Sequence, residues 1–167
     1  MSILDAPVER VFAFHEAPDA LALLTPPWET LDIEKPPSSL AVGTEVILVM
    51  HLGPARLRWV AEHTVYEKNA LFVDRQVSGP FAKWIHRHTF DALGGGKTRL
   101  TDDIEWALPF GRLGKLGNPV VRHKLDRTFA YRHAVTRARC EAATVILRQQ
   151  AETPRGSALC PVLSVAA

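Results

Sequence analysis

The sequence predicts a single α+β domain in which a curved antiparallel sheet wraps around a long C-terminal helix, with two short helices near the N-terminus. Three observations predict this class. Short helical segments come first, a run of strand-like segments with short turns follows, and one long amphipathic segment closes the pattern. Strands joined by short turns pair as an antiparallel meander. One face of such a sheet needs a cover, and only the long helix is large enough to supply it.

Size and composition agree with one globular domain. The chain has 167 residues, 47% of them hydrophobic and 23% charged, which suits one sizeable core and excludes a disordered protein. No apolar run approaches the ~20 residues of a membrane-spanning helix, and residues 1–9 do not resemble a signal peptide. Cys140 and Cys160 form neither a disulfide framework nor a zinc ligand set. We expect a cytoplasmic protein without a transmembrane segment, with its domain over residues 1–150 and a tail over residues 151–167.

The elements follow in order along the chain. Asp5 as a cap, Pro7 near the first turn and the apolar spacing of residues 8–12 predict the first helix. A second short helical piece is predicted over residues 18–24. Alternating or β-branched segments between turns such as Gly53-Pro54 then predict five strands, over residues 45–52, 57–66, 71–77, 82–91 and 98–108.

The long helix is predicted to begin with Asn118 as its cap and Pro119 at its first position, and to end at Thr153. Its apolar stripe consists of Val121, Leu125, Phe129, Cys140, Ala143 and Leu147. Residues 111–150 hold nine Lys or Arg against two acidic residues, although the whole chain carries a net charge of only +2. This imbalance favours a solvated basic face, and a weak contact with an anionic surface is the functional alternative.

Side chains alternate along a strand, so parity assigns the inner face of the sheet. A hairpin that turns about Gly95 places His88 opposite Asp102, His86 opposite Ile104, and Trp84 opposite Trp106. The preceding turn at Gly79-Pro80 brings Asp74 near His86 and Gln76 near Trp84. In the strand before that one, the inward set is predicted to be Trp59, Ala61, His63 and Val65.

The predicted interior therefore combines an apolar wall with a polar cluster. The wall consists of Trp59, Phe72, Trp84, Phe90 and Trp106, and the cluster consists of His63, Asp74, Gln76, His86, His88 and Asp102. Buried carboxylates need partners, and imidazoles can supply them. The cluster is open to three interpretations: a structural His–Asp network, polar groups that orient a ligand, or a metal site.

One long segment carries a resemblance to a known family. Residues 72–90 read FVDRQVSGPFAKWIHRHTF, and further similar stretches are APVERVF at 6–12, LTPPW at 24–28, residues 102–109 and FAYR at 129–132. Together they resemble the START-like (SRPBCC) superfamily in its cyclase/dehydrase, or polyketide-cyclase-like, branch, over roughly residues 3–150. The resemblance implies a helix-grip fold with a seven-stranded sheet around a hydrophobic cavity for lipids, polyketides or other apolar metabolites. It implies no metal and no cofactor, and the first strand of the fold is reduced here to residues 1–4.

These observations favour a binding or carrier protein for a small hydrophobic ligand. The second hypothesis is a cyclase or dehydratase in which His86 or His88 acts as acid or base, tuned by Asp74 or Asp102. The third is an interaction module that uses Arg122, Lys124, Arg127 and Arg137. The candidate ligand contacts are Trp59, His63, Phe72, Asp74, Gln76, Trp84, His86, His88, Phe90, Asp102, Trp106 and Phe129.

We expect no stoichiometric metal, no cofactor and no DNA partner. Instead of binding a metal, His88 and Asp102 are predicted to be hydrogen-bonded or bridged by one water.

Overall fold

A computed structural model of the chain describes residues 1–152, apart from the side chains of residue 52 and of residues 143–152. The strands are β1 (Ser2–Leu4), β2 (Leu31–Lys35), β3 (Glu45–Leu52), β4 (Ala55–Glu67), β5 (Leu71–Ser78), β6 (Lys83–Leu93) and β7 (Lys97–Ala107). The helices are α1 (Val8–Glu16), α2 (Ala20–Leu23), α3 (Gly111–Gly114) and α4 (Asn118–Glu152), with a 3-10 turn (Lys115–Gly117) between the last two.

All seven strands form one antiparallel sheet in the order β1-β7-β6-β5-β4-β3-β2. β1 and β2 therefore lie on opposite edges, and the chain between them, with α1 and α2, crosses the sheet. The register predicted from the two turns is confirmed: His88 pairs with Asp102, Trp84 with Trp106, and Asp74 with His86. The predicted fold class, a curved sheet around a long C-terminal helix, is confirmed as well.

Strand β2 is missing from the sequence-based prediction, in which prolines on both sides marked the region as a connection. Its sequence, LDIEK, nevertheless alternates apolar and charged residues as a half-buried strand does. Cross-strand ion pairs reinforce it, with Lys35 bonded to Glu45 at 3.0 Å and Glu34 to Arg58 at 3.0 Å. Charged side chains also suit an edge strand, because they discourage pairing with another chain.

A bulge in β4 corrects the predicted inner face. The register against β5 shifts between His63 and Val65, where β4 has one extra residue, whereas the earlier shift between Val60 and Ala61 has its extra residue in β5. A bulge inserts one residue, so the alternation reverses beyond it. As a result Tyr66, rather than Val65, packs against the core and makes an edge contact with Phe12 at 5.8 Å between ring centroids.

Both predicted helix caps are also wrong. The residue before α1 is Pro7 in an extended conformation, and the side chain of Asp5 pairs with Lys97 at 2.9 Å instead of capping the helix. Asn118 is itself helical, because α3 and the 3-10 turn already lead the chain into α4. Of the predicted tail, only residues 151 and 152 are described, and Cys160 lies outside the described residues.

The packed core lies where α1 and α4 meet the sheet. It consists of Leu4, Ala6, Val8, Val11, Phe12, Leu40, Phe72, Phe90, Leu100 and Cys140. Phe12 makes edge-on ring contacts with Phe72 and Phe90 at 6.2 and 5.0 Å. This core fills one half of the inner face of the sheet and leaves the other half available for a cavity.

Candidate functional site

Two hollows lie between the sheet and α4. The first, which we call the inner cavity, has a volume of about 270 Å³ and is enclosed by α1, α2, β2–β6 and α4. The second, which we call the outer groove, is formed by β1, β7 and the adjacent side of α4. Leu125 and Phe129 contribute to both, so α4 separates them.

The inner cavity has an apolar end and a polar end. Its apolar end is lined by Leu21, Leu24, Leu31, Val46, Leu48 and Met50. Its polar end contains the histidines and carboxylate of the central strands together with Arg132 from α4. An apolar wall with a few converging polar groups is the usual construction of a small-molecule pocket.

His86 lies between two carboxylates at the polar end. Its Nε2 bonds Asp102 Oδ1 at 2.9 Å, and its Nδ1 lies 3.2 Å from Asp74 Oδ2. Asp74 also accepts a hydrogen bond from the Trp84 indole at 3.3 Å. Both ring nitrogens of His86 are thus directed at acceptors, which is the arrangement of an imidazolium.

Charge compensation explains how these groups tolerate burial. Burial opposes the charged form of His86, but the charge of Asp74 and the hydrogen bond to Asp102 outweigh it and raise the pKa of His86 to about 9. Burial likewise opposes ionisation of both carboxylates, and the histidines outweigh it and hold the pKa of Asp74 and of Asp102 below the usual range. Two negative charges thus face the positive charges of His86 and the buried Arg132.

Two other histidines near the cluster are neutral. Burial, followed by the charge of His88, lowers the pKa of His15 to about 4. Burial also lowers the pKa of His63, against the attraction of Asp74. His15 bonds the Val11 carbonyl at 2.8 Å, whereas Nδ1 of His63 has no hydrogen-bond partner.

His133 extends the polar cluster across α4, and sequence reasoning missed it. Its Nε2 bonds Asp102 Oδ2 at 2.5 Å and its Nδ1 bonds Ser2 Oγ at 2.7 Å. A hydrogen-bonded chain therefore runs from His86 in the inner cavity to Ser2 in the outer groove. The sequence did hold a sign of it: the apolar stripe of α4 has no apolar member between Phe129 and Cys140, and the polar residues His133 and Thr136 are buried in that interval.

The predicted pair of His88 and Asp102 needs correction. Nδ1 of His88 lies 2.9 Å from Asp102 Oδ1 but has no hydrogen-bond partner. The hydrogen bonds of Asp102 go instead to His86 and His133. The ring of His88 instead stacks on Phe72, with centroids 4.0 Å apart.

Eight of the twelve predicted ligand contacts line the inner cavity: Trp59, His63, Phe72, Asp74, Trp84, His86, His88 and Phe129. Phe90 belongs to the packed core, and Asp102 and Trp106 line the outer groove. Gln76 bonds both the carbonyl and the amide of Phe81, at 2.7 and 3.2 Å, and so holds the turn between β5 and β6. Sequence parity missed His15 and Arg132, which reach the cavity from helices.

Asp74, His86 and His88 form a group with the composition of a metal site, since their candidate ligand atoms lie within 4.8 Å of one another. A metal needs a free lone pair on each imidazole. The two nitrogens of His86 are directed at carboxylate oxygens and its pKa is raised to about 9, so the protonated ring offers none. That no metal binds here stays a prediction.

Comparison with known sequences identifies the family. Residues 4–129 match the family described as polyketide cyclase / dehydrase and lipid transport. The chain belongs to this family. The resemblance noted in residues 72–90 is thereby confirmed. No curated protein matches the chain in sequence.

Solved structures of the same fold include a START superfamily protein from Mycobacterium smegmatis, with a TM-score of 0.57, 17% identity, and coverage of 85% of this chain and 94% of that one. The Zhui aromatase/cyclase from Streptomyces sp. R1128 has a TM-score of 0.60, 16% identity, and coverage of 84% of this chain and 90% of that one. A nucleoside-diphosphate sugar epimerase from Corynebacterium glutamicum has a TM-score of 0.64 and 26% identity, with 90% of this chain matching 30% of that one. These proteins share the fold of this chain although their names describe different functions.

Within residues 1–152, no helix has both the length and the apolar character needed to cross a bilayer.

Proposed function

We propose that this protein binds a compact, mostly apolar molecule in the inner cavity and serves as its carrier. The observation that carries the proposal is an apolar cavity whose lining includes two residues with unpartnered polar atoms. Nε1 of Trp59 and Nδ1 of His63 are buried without a hydrogen-bond partner, and both residues line the cavity. Buried polar atoms are normally paired, so a ligand oxygen is the expected partner.

The cavity also limits what the ligand can be. Its volume of about 270 Å³ lies just below the roughly 300–1,000 Å³ typical of ligand pockets. The Trp59 indole can only donate, whereas the neutral His63 ring can donate or accept. A molecule of one or two rings that carries a carbonyl or hydroxyl group fits these requirements better than a long acyl chain.

A matched pair of probes tests the proposal. 2-Naphthol should bind more tightly than naphthalene, because its hydroxyl can accept a hydrogen bond from the Trp59 indole. Trp59→Phe should remove most of that difference, about fivefold in Kd for one hydrogen bond of about 1 kcal/mol. Trp106→Phe is the matched control, because Trp106 lines the outer groove. Leu48→Trp should fill the cavity and block both probes. If neither Trp59→Phe nor Leu48→Trp changes the Kd of either probe, the ligand binds elsewhere.

A second candidate function is the dehydration of a β-hydroxy carbonyl compound. The two neighbouring imidazoles would divide the roles, with protonated His86 as the proton donor and Nδ1 of His88, which has no hydrogen-bond partner, as the acceptor. His88 would remove the α-hydrogen, and His86 would protonate the departing hydroxyl so that water leaves. Enone formation followed by absorbance should be lost in both His88→Phe and His86→Gln, whereas a carrier would show no turnover at all.

A further inference from the structure

The segment between the sheet and α4 exposes an apolar surface. The side chains of Phe110, Leu113, Leu116 and Val120 are 83%, 75%, 80% and 72% exposed. We call these four residues the 110–120 surface. Isolated exposed apolar residues are ordinary in a folded protein, but four in one short segment form a patch of the kind that marks an interaction site.

The packing of two glycines determines which way this segment faces. A Cβ on Gly114 would overlap the Pro109 carbonyl oxygen, and one on Gly117 would come within 2.9 Å of Leu108. The glycine side is therefore pressed against the residues that follow β7, and Leu113 and Leu116, each next to one of these glycines, are directed outward. Phe110 has a left-handed backbone with φ of 67°, an unusual conformation for an aromatic residue. Its ring is held out of the core.

Unpaired cations flank the 110–120 surface. Arg112, Lys115 and Arg122 are exposed, and none has a carboxylate partner among the residues that the structure describes. Residues 110–125 contain no acidic residue. An apolar strip flanked by three cations, with no acidic residue between Glu105 and Asp126, is complementary to a negatively charged, partly apolar partner.

The basic residues first predicted as contacts are mostly engaged within the chain. Lys124 bonds Glu29 at 2.8 Å, and Arg137 bonds the Ile3 carbonyl at 2.7 Å. Arg127 lies over the Trp28 ring at 4.3 Å. Only Arg122 of that set remains unpaired in the described part of the chain, so the candidate contact surface moves toward the beginning of α4.

We propose that the 110–120 surface docks reversibly onto an anionic lipid bilayer. The four apolar side chains would enter the boundary between headgroups and acyl chains, and the three cations would lie among the anionic headgroups. A second copy of the chain is a poor occupant, because pairing two such surfaces brings like charges together. Val121 and Leu125, on the next turn of α4, line the inner cavity, so docking brings the wall of the cavity to the membrane. Membrane docking does not depend on ligand binding in the inner cavity, so either proposal can fail while the other holds.

Vesicle sedimentation with the full chain tests the docking. The protein should sediment with vesicles of phosphatidylcholine and phosphatidylglycerol in equal amounts, and much less with phosphatidylcholine alone. Arg112→Glu combined with Lys115→Glu should weaken the binding roughly tenfold or more, since each cation near an anionic surface is worth about 1 kcal/mol. High salt should weaken it in the same direction.

The apolar contribution has its own matched pair of variants. Leu113→Ser with Leu116→Ser should abolish sedimentation, whereas Val42→Ser with Val77→Ser, two exposed apolar positions elsewhere, should leave it unchanged. Circular dichroism checks that each variant is folded. Failure of the wild type to sediment with anionic vesicles would overturn the proposal. So would a dimer in analytical ultracentrifugation that the leucine substitutions dissociate, since the surface would then belong to a second copy.

Discussion

The inner face of the sheet has two halves that differ in how they are filled. Where α1 lies, the face is packed: Phe12 is 0% exposed and Leu100 1% exposed. Where the first half of α4 crosses β3 and β4, side chains such as Leu48 and Met50 remain partly exposed and line the inner cavity. The same strands thus support a stable core and a hollow, and the His–Asp cluster lies at their boundary. Stability and ligand binding should therefore respond to different substitutions.

The cluster at the boundary should produce the largest effect on stability. Asp102→Ala would leave His86 and His133 without their shared acceptor and the charge of His86 less compensated. We expect a loss of about 3–5 kcal/mol in the free energy of unfolding, as for other buried pairs that lose one partner. Asp103→Ala, on the outer face of the same strand, is the control. Its closest cation is Arg87 at 3.9 Å with both side chains largely exposed, so we expect about 0.5 kcal/mol or less.

Urea unfolding measures both variants. A loss below about 1 kcal/mol for Asp102→Ala would mean that water replaces the missing carboxylate, so that the boundary is not closed to solvent.

One pair of identical substitutions compares the two halves directly. Leu100→Ala in the packed half should cost about 2–5 kcal/mol, because it creates a cavity among fixed neighbours. Leu48→Ala in the hollow half should cost about 1 kcal/mol, because its side chain is only partly buried. The effects on 2-naphthol binding should be reversed, with Leu48→Ala changing Kd and Leu100→Ala leaving it nearly constant. If Leu100→Ala and Leu48→Ala lower the free energy of unfolding equally, Leu48 is as tightly packed as Leu100 and the cavity is closed when no ligand is bound.

The strand register was predictable because local rules determine it. Turn residues at Gly79-Pro80 and Gly95 fix where each hairpin reverses, and parity then fixes the partners of His86 and His88. The predicted inner face is wrong where a strand departs from regular alternation. Nothing in the alternation of residues 57–66 shows the bulge between His63 and Val65.

The assignment of side chains to the inner cavity or to the outer groove was not predictable from parity. Trp84 and Trp106 share one face of the sheet, yet only Trp84 lines the inner cavity. The path of α4 over the sheet separates them, and that path depends on tertiary packing. For the same reason His15 and His133, both on helices, could not be placed beside the strand residues that they contact.

The pH dependence of stability compares the two halves through their histidines, with the smallest expected effect. On α1, where His15 lies between the packed core and the cavity, burial lowers the pKa of His15 from 6.5 to about 4. In that interval the unfolded chain binds the proton more readily, so stability should fall as the pH falls from 6.5 toward 4. On the hollow side, the pKa of His86 is raised to about 9 despite its burial, chiefly by the charge of Asp74. Here the folded chain holds the proton more tightly, so stability should fall as the pH rises from 6.5 toward 9.

The two histidines together predict a maximum of stability near the ordinary histidine pKa of about 6.5. His15→Phe should flatten the acid side of the curve and His86→Gln the alkaline side, each by roughly 1–2 kcal/mol over two pH units. His86→Gln will also lower stability at every pH, so the test is the slope between about pH 6.5 and 8.5 and not the absolute value. Urea unfolding across this range measures it. Stability that continues to rise with pH in the wild type would mean that His86 is neutral in the folded protein, and the network would then carry uncompensated negative charge beside the cavity.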